Sequence, residues 1–124
     1  MSKILIVDDD PDFINATRIL MEHEGHQVKC ATGGKIGYET VKEIDPDLVI
    51  LDVMMESILE GISVSRKMHM NPDTSDIPIV MVSSIAQTDY AALFPTDEYI
   101  YIDAYLNKPV DPTMLIKKVR RVLA

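Results

Sequence analysis

Residues able to do chemistry stand at intervals along the 124-residue chain, each at or just after the end of a strand-like run. Asp8 and Asp9 follow Lys3-Ile-Leu-Ile-Val7, Asp52 follows Leu48-Val-Ile-Leu51, Ser83 and Ser84 follow Ile77-Pro-Ile-Val-Met-Val82, and Lys108 follows Tyr105-Leu-Asn107. Three carboxylates brought into one pocket repel one another, at roughly 4 kcal/mol for each pair about 4 Å apart at an effective dielectric of about 20. A divalent cation neutralises such a cluster best. The candidate ligands are oxygens, with no His or Cys beside them in sequence, which favours Mg2+ or Mn2+ over Zn2+. Lys108 and a serine hydroxyl are then left to hold an anion beside the metal. A carboxylate, a hard cation, an ammonium and a hydroxyl are the parts needed to move a phosphoryl group onto a carboxylate, a reaction governed by positioning and charge neutralisation. Asp52 is the favoured nucleophile, because the apolar run before it would fix it rigidly, whereas Asp8 and Asp9 sit together where a metal can be held.

The elements that must position these residues alternate. Lys3 to Asp8 reads as a strand buried on both faces with a polar C-terminal end. Asp10-Pro11-Asp12 opens a helix, with Asp10 as cap and Pro11 in the first turn. Phe13, Ala16, Ile19, Leu20 and His23 follow at helical spacing, and Gly25 is the stop. Gln27 to Ala31 reads as a second strand, with Cys30 as a small buried hydrophobe. Gly33-Gly34 reads as a turn and Lys35 to Ile44 as a helix with Ile36, Val41 and Ile44 inward. Asp45-Pro46-Asp47 breaks that helix, and Leu48 to Leu51 is a third strand ending on Asp52. A loop containing Gly61 leads to a helix with Ile62, Val64, Ser65 and Met68, stopped at Asn71-Pro72. Ile77 to Val82 is a fourth strand. Further on, Ile100, Ile102, Ala104 and Leu106 alternate with Tyr99, Tyr101, Asp103 and Tyr105 as in a fifth strand. Asp111-Pro112 opens a last helix with Leu115, Ile116, Val119, Val122 and Leu123 on its apolar side. Strands and helices alternating in this way predict an α/β domain, a doubly wound parallel sheet with helices on both faces. In such sheets ligands sit beyond the carboxyl ends of the strands, where the candidate residues fall.

Composition narrows the function. Hydrophobic residues make up 47% and charged residues 26%, enough for a core and for solubility. Twelve Lys and Arg against twenty Asp and Glu give a net charge of −8, which repels a nucleic-acid backbone and an anionic membrane. The apolar runs are too short to span a bilayer and no signal sequence opens the chain. Cys30 is the only cysteine, which excludes an internal disulfide and suits a reducing compartment. The expected location is the cytoplasm, without direct nucleic-acid binding or membrane insertion.

Taken together, Ile4-Leu-Ile-Val-Asp-Asp-Asp10, Pro46-Asp-Leu-Val-Ile-Leu-Asp-Val-Met-Met55, Ile77-Pro-Ile-Val-Met-Val-Ser83 and Tyr105-Leu-Asn-Lys-Pro109 resemble the response-regulator receiver domain, from end to end of the chain. The resemblance implies one receiver domain over residues 1–124, with a five-stranded flavodoxin-like sheet in the order 2-1-3-4-5. It implies that Asp52 accepts a phosphoryl group from a histidine kinase or phosphotransfer protein, in a signalling domain and not an enzyme. Asp9, Asp52 and the Met54 carbonyl would then bind Mg2+ directly, with Asp8 acting mainly through water. Ser83 would hydrogen-bond a phosphoryl oxygen and Lys108 would pair with another. Tyr105 matches the aromatic switch position that turns inward with Ser83, and the Lys108-Pro109 bond is usually cis in the family. Met54 and Ile85 fall where the family sets the lifetime of the phosphorylated state. Neither orients a water, so slow self-dephosphorylation is expected. Two departures stand out: Glu56 where proline is common in a loop about one residue longer than usual, and Phe94-Pro95 within the span of a fourth helix.

Competing readings differ at particular residues. A phosphohydrolase of the haloacid dehalogenase type needs an acid two positions after its nucleophile, where this chain has Met54. A flavodoxin-like nucleotide binder needs a Ser, Thr and Gly-rich phosphate loop, where this chain has Asp8-Asp9-Asp10. The alternative that keeps the same fold is a receiver-like module that binds proteins without phosphorylation. The expectation carried forward is a stand-alone phosphoacceptor that acts by binding a downstream protein of unknown identity.

Overall fold

The computed structural model describes residues 2–52, 58–83 and 103–124. Nine elements follow in chain order: β1 (Lys3–Val7), α1 (Pro11–His23), β2 (Gln27–Ala31), α2 (Gly34–Ile44), β3 (Leu48–Asp52), α3 (Ile58–Met70), β4 (Ile79–Ser83), β5 (Ala104–Asn107) and α4 (Pro112–Leu123). The strands form one parallel sheet in the order β2-β1-β3-β4-β5, as the resemblance implied.

Continuous apolar strands are explained by what covers them. Successive side chains point to opposite faces of a sheet, and here both faces are packed. Leu5, Val7, Val49, Leu51 and Met81 meet Val41 of α2 and Val64 and Met68 of α3. Ile4, Ile6, Ile50, Val80 and Val82 meet Ile14 and Met21 of α1 and Leu115 and Val119 of α4. On the α2 side the approach is close: a Cβ at Gly37 would lie 2.6 Å from Val7 Cγ1.

The helix ends follow local chemistry. The Asp10 side chain accepts from the Asp12 amide and that of Asp111 from the Thr113 amide, with Pro11 and Pro112 in the first turns. Beyond α1, Gly25 takes φ +92°, a left-handed conformation that glycine adopts without steric cost. Thr74, itself buried, donates from Oγ1 to the Met68 carbonyl at 2.7 Å and so satisfies the end of α3. No helix among the described residues is long and apolar enough to cross a membrane.

Four expectations need correction. The buried face of α1 is Ile14, Thr17 and Met21, flanked by Phe13 and Leu20, while Ile19 is 62% exposed and Ala16 is exposed. At about 100° per residue, Ile19 falls on the opposite side of the helix from that triplet. Ile36 is likewise exposed, because α2 turns Gly37, Tyr38, Val41 and Ile44 toward the sheet. Cys30 is exposed although its register partner Ile6 is buried, because the faces of the edge strand β2 are covered less fully than those of the central strands: three of its five residues are exposed, against none in β3. Finally, α3 begins at Ile58, so that Gly61 lies within the helix, at the modest cost a helical glycine carries. The final helix buries Leu115 and Val119 and packs Ile116, Val122 and Leu123 against the core, as expected. The strand begins at Ala104, while Tyr99 to Ile102 lie outside the described residues, as do Met54, Glu56, Ser84, Ile85 and Phe94-Pro95.

Candidate functional site

The carboxyl ends of β1 and β3 lie side by side, with Val7 paired to Leu51 in register. Asp8 therefore leaves β1 beside Asp52, the last residue of β3. The Asp8 amide donates to the Ala31 carbonyl at 3.1 Å, which holds it to β2. Its Oδ1 accepts from the Asp10 amide at 2.9 Å, so the acidic run folds back on itself before α1 starts. Asp10 is spent on capping, as expected, and Asp9 is left exposed between them.

Asp8 and Asp52 are 0% and 1% exposed. One carboxylate oxygen from each of Asp8, Asp9 and Asp52 lies within 4.8 Å of the others, the single such group of three or more His, Cys, Asp and Glu among the described residues. Lys108, immediately after β5, reaches into this cluster. Its Nζ donates to Asp8 Oδ2 at 2.9 Å and to Asp52 Oδ2 at 3.5 Å. The Lys108-Pro109 peptide bond is cis. Burial alone would push the Lys108 ammonium toward neutrality, but the hydrogen bond to Asp8 and the charges of Asp52 and Asp8 outweigh it and hold its pKa above the ordinary lysine value. Lys108 thus stays charged throughout the neutral range.

Three carboxylates against one ammonium leave the cluster two negative charges in excess. Two members are buried and cannot be neutralised by bulk water. This donor set fits a hard divalent cation such as Mg2+, which takes carboxylate oxygens and retains waters.

Ser83 ends β4, in register with Asn107 of β5, which places its backbone at the same edge of the sheet as Asp52 and Lys108. Tyr105 lies in β5 opposite Met81 and is half-buried against the core layer that contains Leu51 and Met81. Met54 and Ile85 lie outside the described residues. A residue that pattern reading assigned only to packing also belongs here. The Phe13 ring centroid lies 4.4 Å from Lys108 Nζ, and the available signal was its place one turn beyond Asp9.

The sequence profile of the response regulator receiver domain matches residues 4–120. Protein PilH of Pseudomonas aeruginosa is 34% identical over 125 residues, covering 100% of this chain and 99% of its own. The DNA-binding dual master transcriptional regulator RpaA of Synechocystis is 32% identical over 124 residues, but this chain spans only 49% of its length, as with several other curated relatives that it matches over about half their length. Among solved structures, a putative response regulator from Chloroflexus aurantiacus superposes with a TM-score of 0.86 at 29% identity, covering 98% of this chain and 97% of that one.

Proposed function

The chain belongs to the response regulator receiver family of two-component signalling, and on that premise we propose that it is a phosphoacceptor whose Asp52 receives a phosphoryl group from a histidine kinase or phosphotransfer protein. One observation carries the proposal. Asp52 is buried at the end of β3, within 4.8 Å of two further carboxylates and 3.5 Å from the Lys108 ammonium.

Each residue has a separate task. An oxygen of Asp52 forms the new bond to phosphorus as the donor's P–N bond breaks and its imidazole leaves. Lys108 supplies fixed positive charge to the oxygens of the transferred group. Asp9 and Asp52, with the Met54 carbonyl, would hold Mg2+, and Asp8 would act through water, consistent with both Asp8 oxygens already accepting hydrogen bonds. When bound, the cation offsets the charge of the carboxylates and of the incoming phosphoryl oxygens. Ser83 donates its hydroxyl to a phosphoryl oxygen, and Tyr105 changes position with it to alter a protein-binding surface. Met54 and Ile85 shield the acyl phosphate and make self-dephosphorylation slow.

Residues 1–124 act on this reading as one receiver unit that works in the cytoplasm through protein contacts, without inserting in a membrane or binding nucleic acid directly. The chain is incubated with Mg2+ and acetyl phosphate and its intact mass is compared with that of Asp52→Asn. A single phosphoryl adduct on the parent alone is expected. No adduct on the parent would overturn the proposal in favour of phosphorylation-independent protein binding.

A further inference from the structure

Lys108 has two kinds of tether. One is the pair of carboxylates of Asp8 and Asp52. The other is the Phe13 ring, with its centroid 4.4 Å from Nζ, inside the range where an ammonium is attracted by the negative face of an aromatic ring. The Lys108 side chain is only 17% exposed, and desolvation strengthens such a contact.

The two tethers respond differently to charge. Anything that neutralises Asp8, Asp9 and Asp52 weakens the hold of the carboxylates on Lys108, and a bound cation also repels the ammonium directly. The ring quadrupole carries no net charge and is not neutralised. Phe13 is anchored independently of Lys108, being half-buried against the core formed by α1, α4 and the sheet. With Ala16, Leu20, Val110 and Leu115 it lines an apolar groove of about 150 Å³ between α1 and α4.

We propose that Phe13 is a positioning residue for phosphoryl acceptance: its ring keeps the Lys108 ammonium at the cluster when the carboxylates are engaged by a cation. This rests on the reading of Asp52 as phosphoacceptor.

The test compares the parent with Phe13→Leu, which keeps apolar bulk without a ring, and Phe13→Tyr, which keeps the ring. Urea unfolding checks that each is folded, and Phe13→Met replaces the leucine variant if that one is not. Proton NMR reads the ring-current shift of the Lys108 ε-methylene with and without Mg2+, and intact mass reads the rate of phosphorylation by acetyl phosphate. The parent and Phe13→Tyr are expected to hold the upfield ε-proton shift in Mg2+ and to react at similar rates. Phe13→Leu is expected to lose the shift and to react roughly three- to ten-fold more slowly, the scale set by a partly desolvated cation–π contact. An unchanged rate in Phe13→Leu, an equal slowing in Phe13→Tyr, or a parent without the upfield shift would each overturn the role of Phe13. A parent that takes no phosphoryl group would instead overturn the reading beneath it, whatever the ring-current shift.

Discussion

Asp52→Asn should make the metal-free protein more stable even as it abolishes phosphorylation. The geometry sets the size. Asp52 has two like-charged neighbours at 4.8 Å or less, each repelling it by at least about 3.5 kcal/mol at an effective dielectric of about 20, and one ammonium at 3.5 Å attracting it by about 4.7 kcal/mol on the same scale. Two repulsions against one attraction leave about 2 kcal/mol of net penalty. Solvent screens the exposed Asp9, which lowers that figure, while the desolvation of a carboxylate that is 1% exposed raises it. A gain of about 1–2 kcal/mol is expected for the neutral, isosteric asparagine in urea unfolding at low salt without divalent ions. Added Mg2+ should then stabilise the parent more than the variant, by about 2.7 kcal/mol for the parent at a hundredfold excess over its dissociation constant. A variant less stable than the parent in metal-free buffer, together with equal Mg2+ stabilisation of both, would refute the argument that excess negative charge dominates this site.

Two further outcomes follow from other residues. Polar side chains at both Met54 and Ile85 should shorten the lifetime of the phosphorylated form about tenfold or more, by admitting and orienting water. An unchanged decay rate of isolated phosphoprotein would remove the shielding argument. Gly37→Ala should destabilise the fold by about 1–2 kcal/mol, because its Cβ would lie 2.6 Å from Val7 Cγ1 and overpacking outweighs the gain in helix propensity; a rise in the urea midpoint would contradict it.

The parts of this molecule that could be read from its sequence are those fixed by local rules. Ile4 to Val7 and Leu48 to Leu51 are buried on both faces, so their apolar runs are continuous and the polar residues that end them mark one edge of the sheet. Asp10-Pro11 and Asp111-Pro112 announce helix starts because the cap uses a side chain two residues from its partner. What could not be read depends on packing between distant segments. Helical periodicity admits both the Ile14, Thr17, Met21 face and one containing Ile19, and only the position of the sheet selects between them. Gln27 and Lys29 set β2 apart from the continuous apolar runs of β1 and β3, but the expectation of a buried Cys30 does not use that signal, and the strand's place at the edge of the sheet leaves it exposed. Phe13 and Lys108 lie near opposite ends of the chain, and their contact exists because β5 returns Lys108 to the mouth of α1. The convergence of Asp8, Asp9, Asp52 and Lys108 was readable for the opposite reason, since a parallel sheet sends every strand end to the same side.

The most direct test of the central claim locates the phosphoryl group chemically. After incubation with Mg2+ and acetyl phosphate the protein is reduced with borohydride, which converts an aspartyl phosphate to homoserine, and its peptides are sequenced by mass spectrometry. Homoserine at position 52 alone is the predicted result; unmodified Asp52 beside a labelled residue elsewhere would contradict the account.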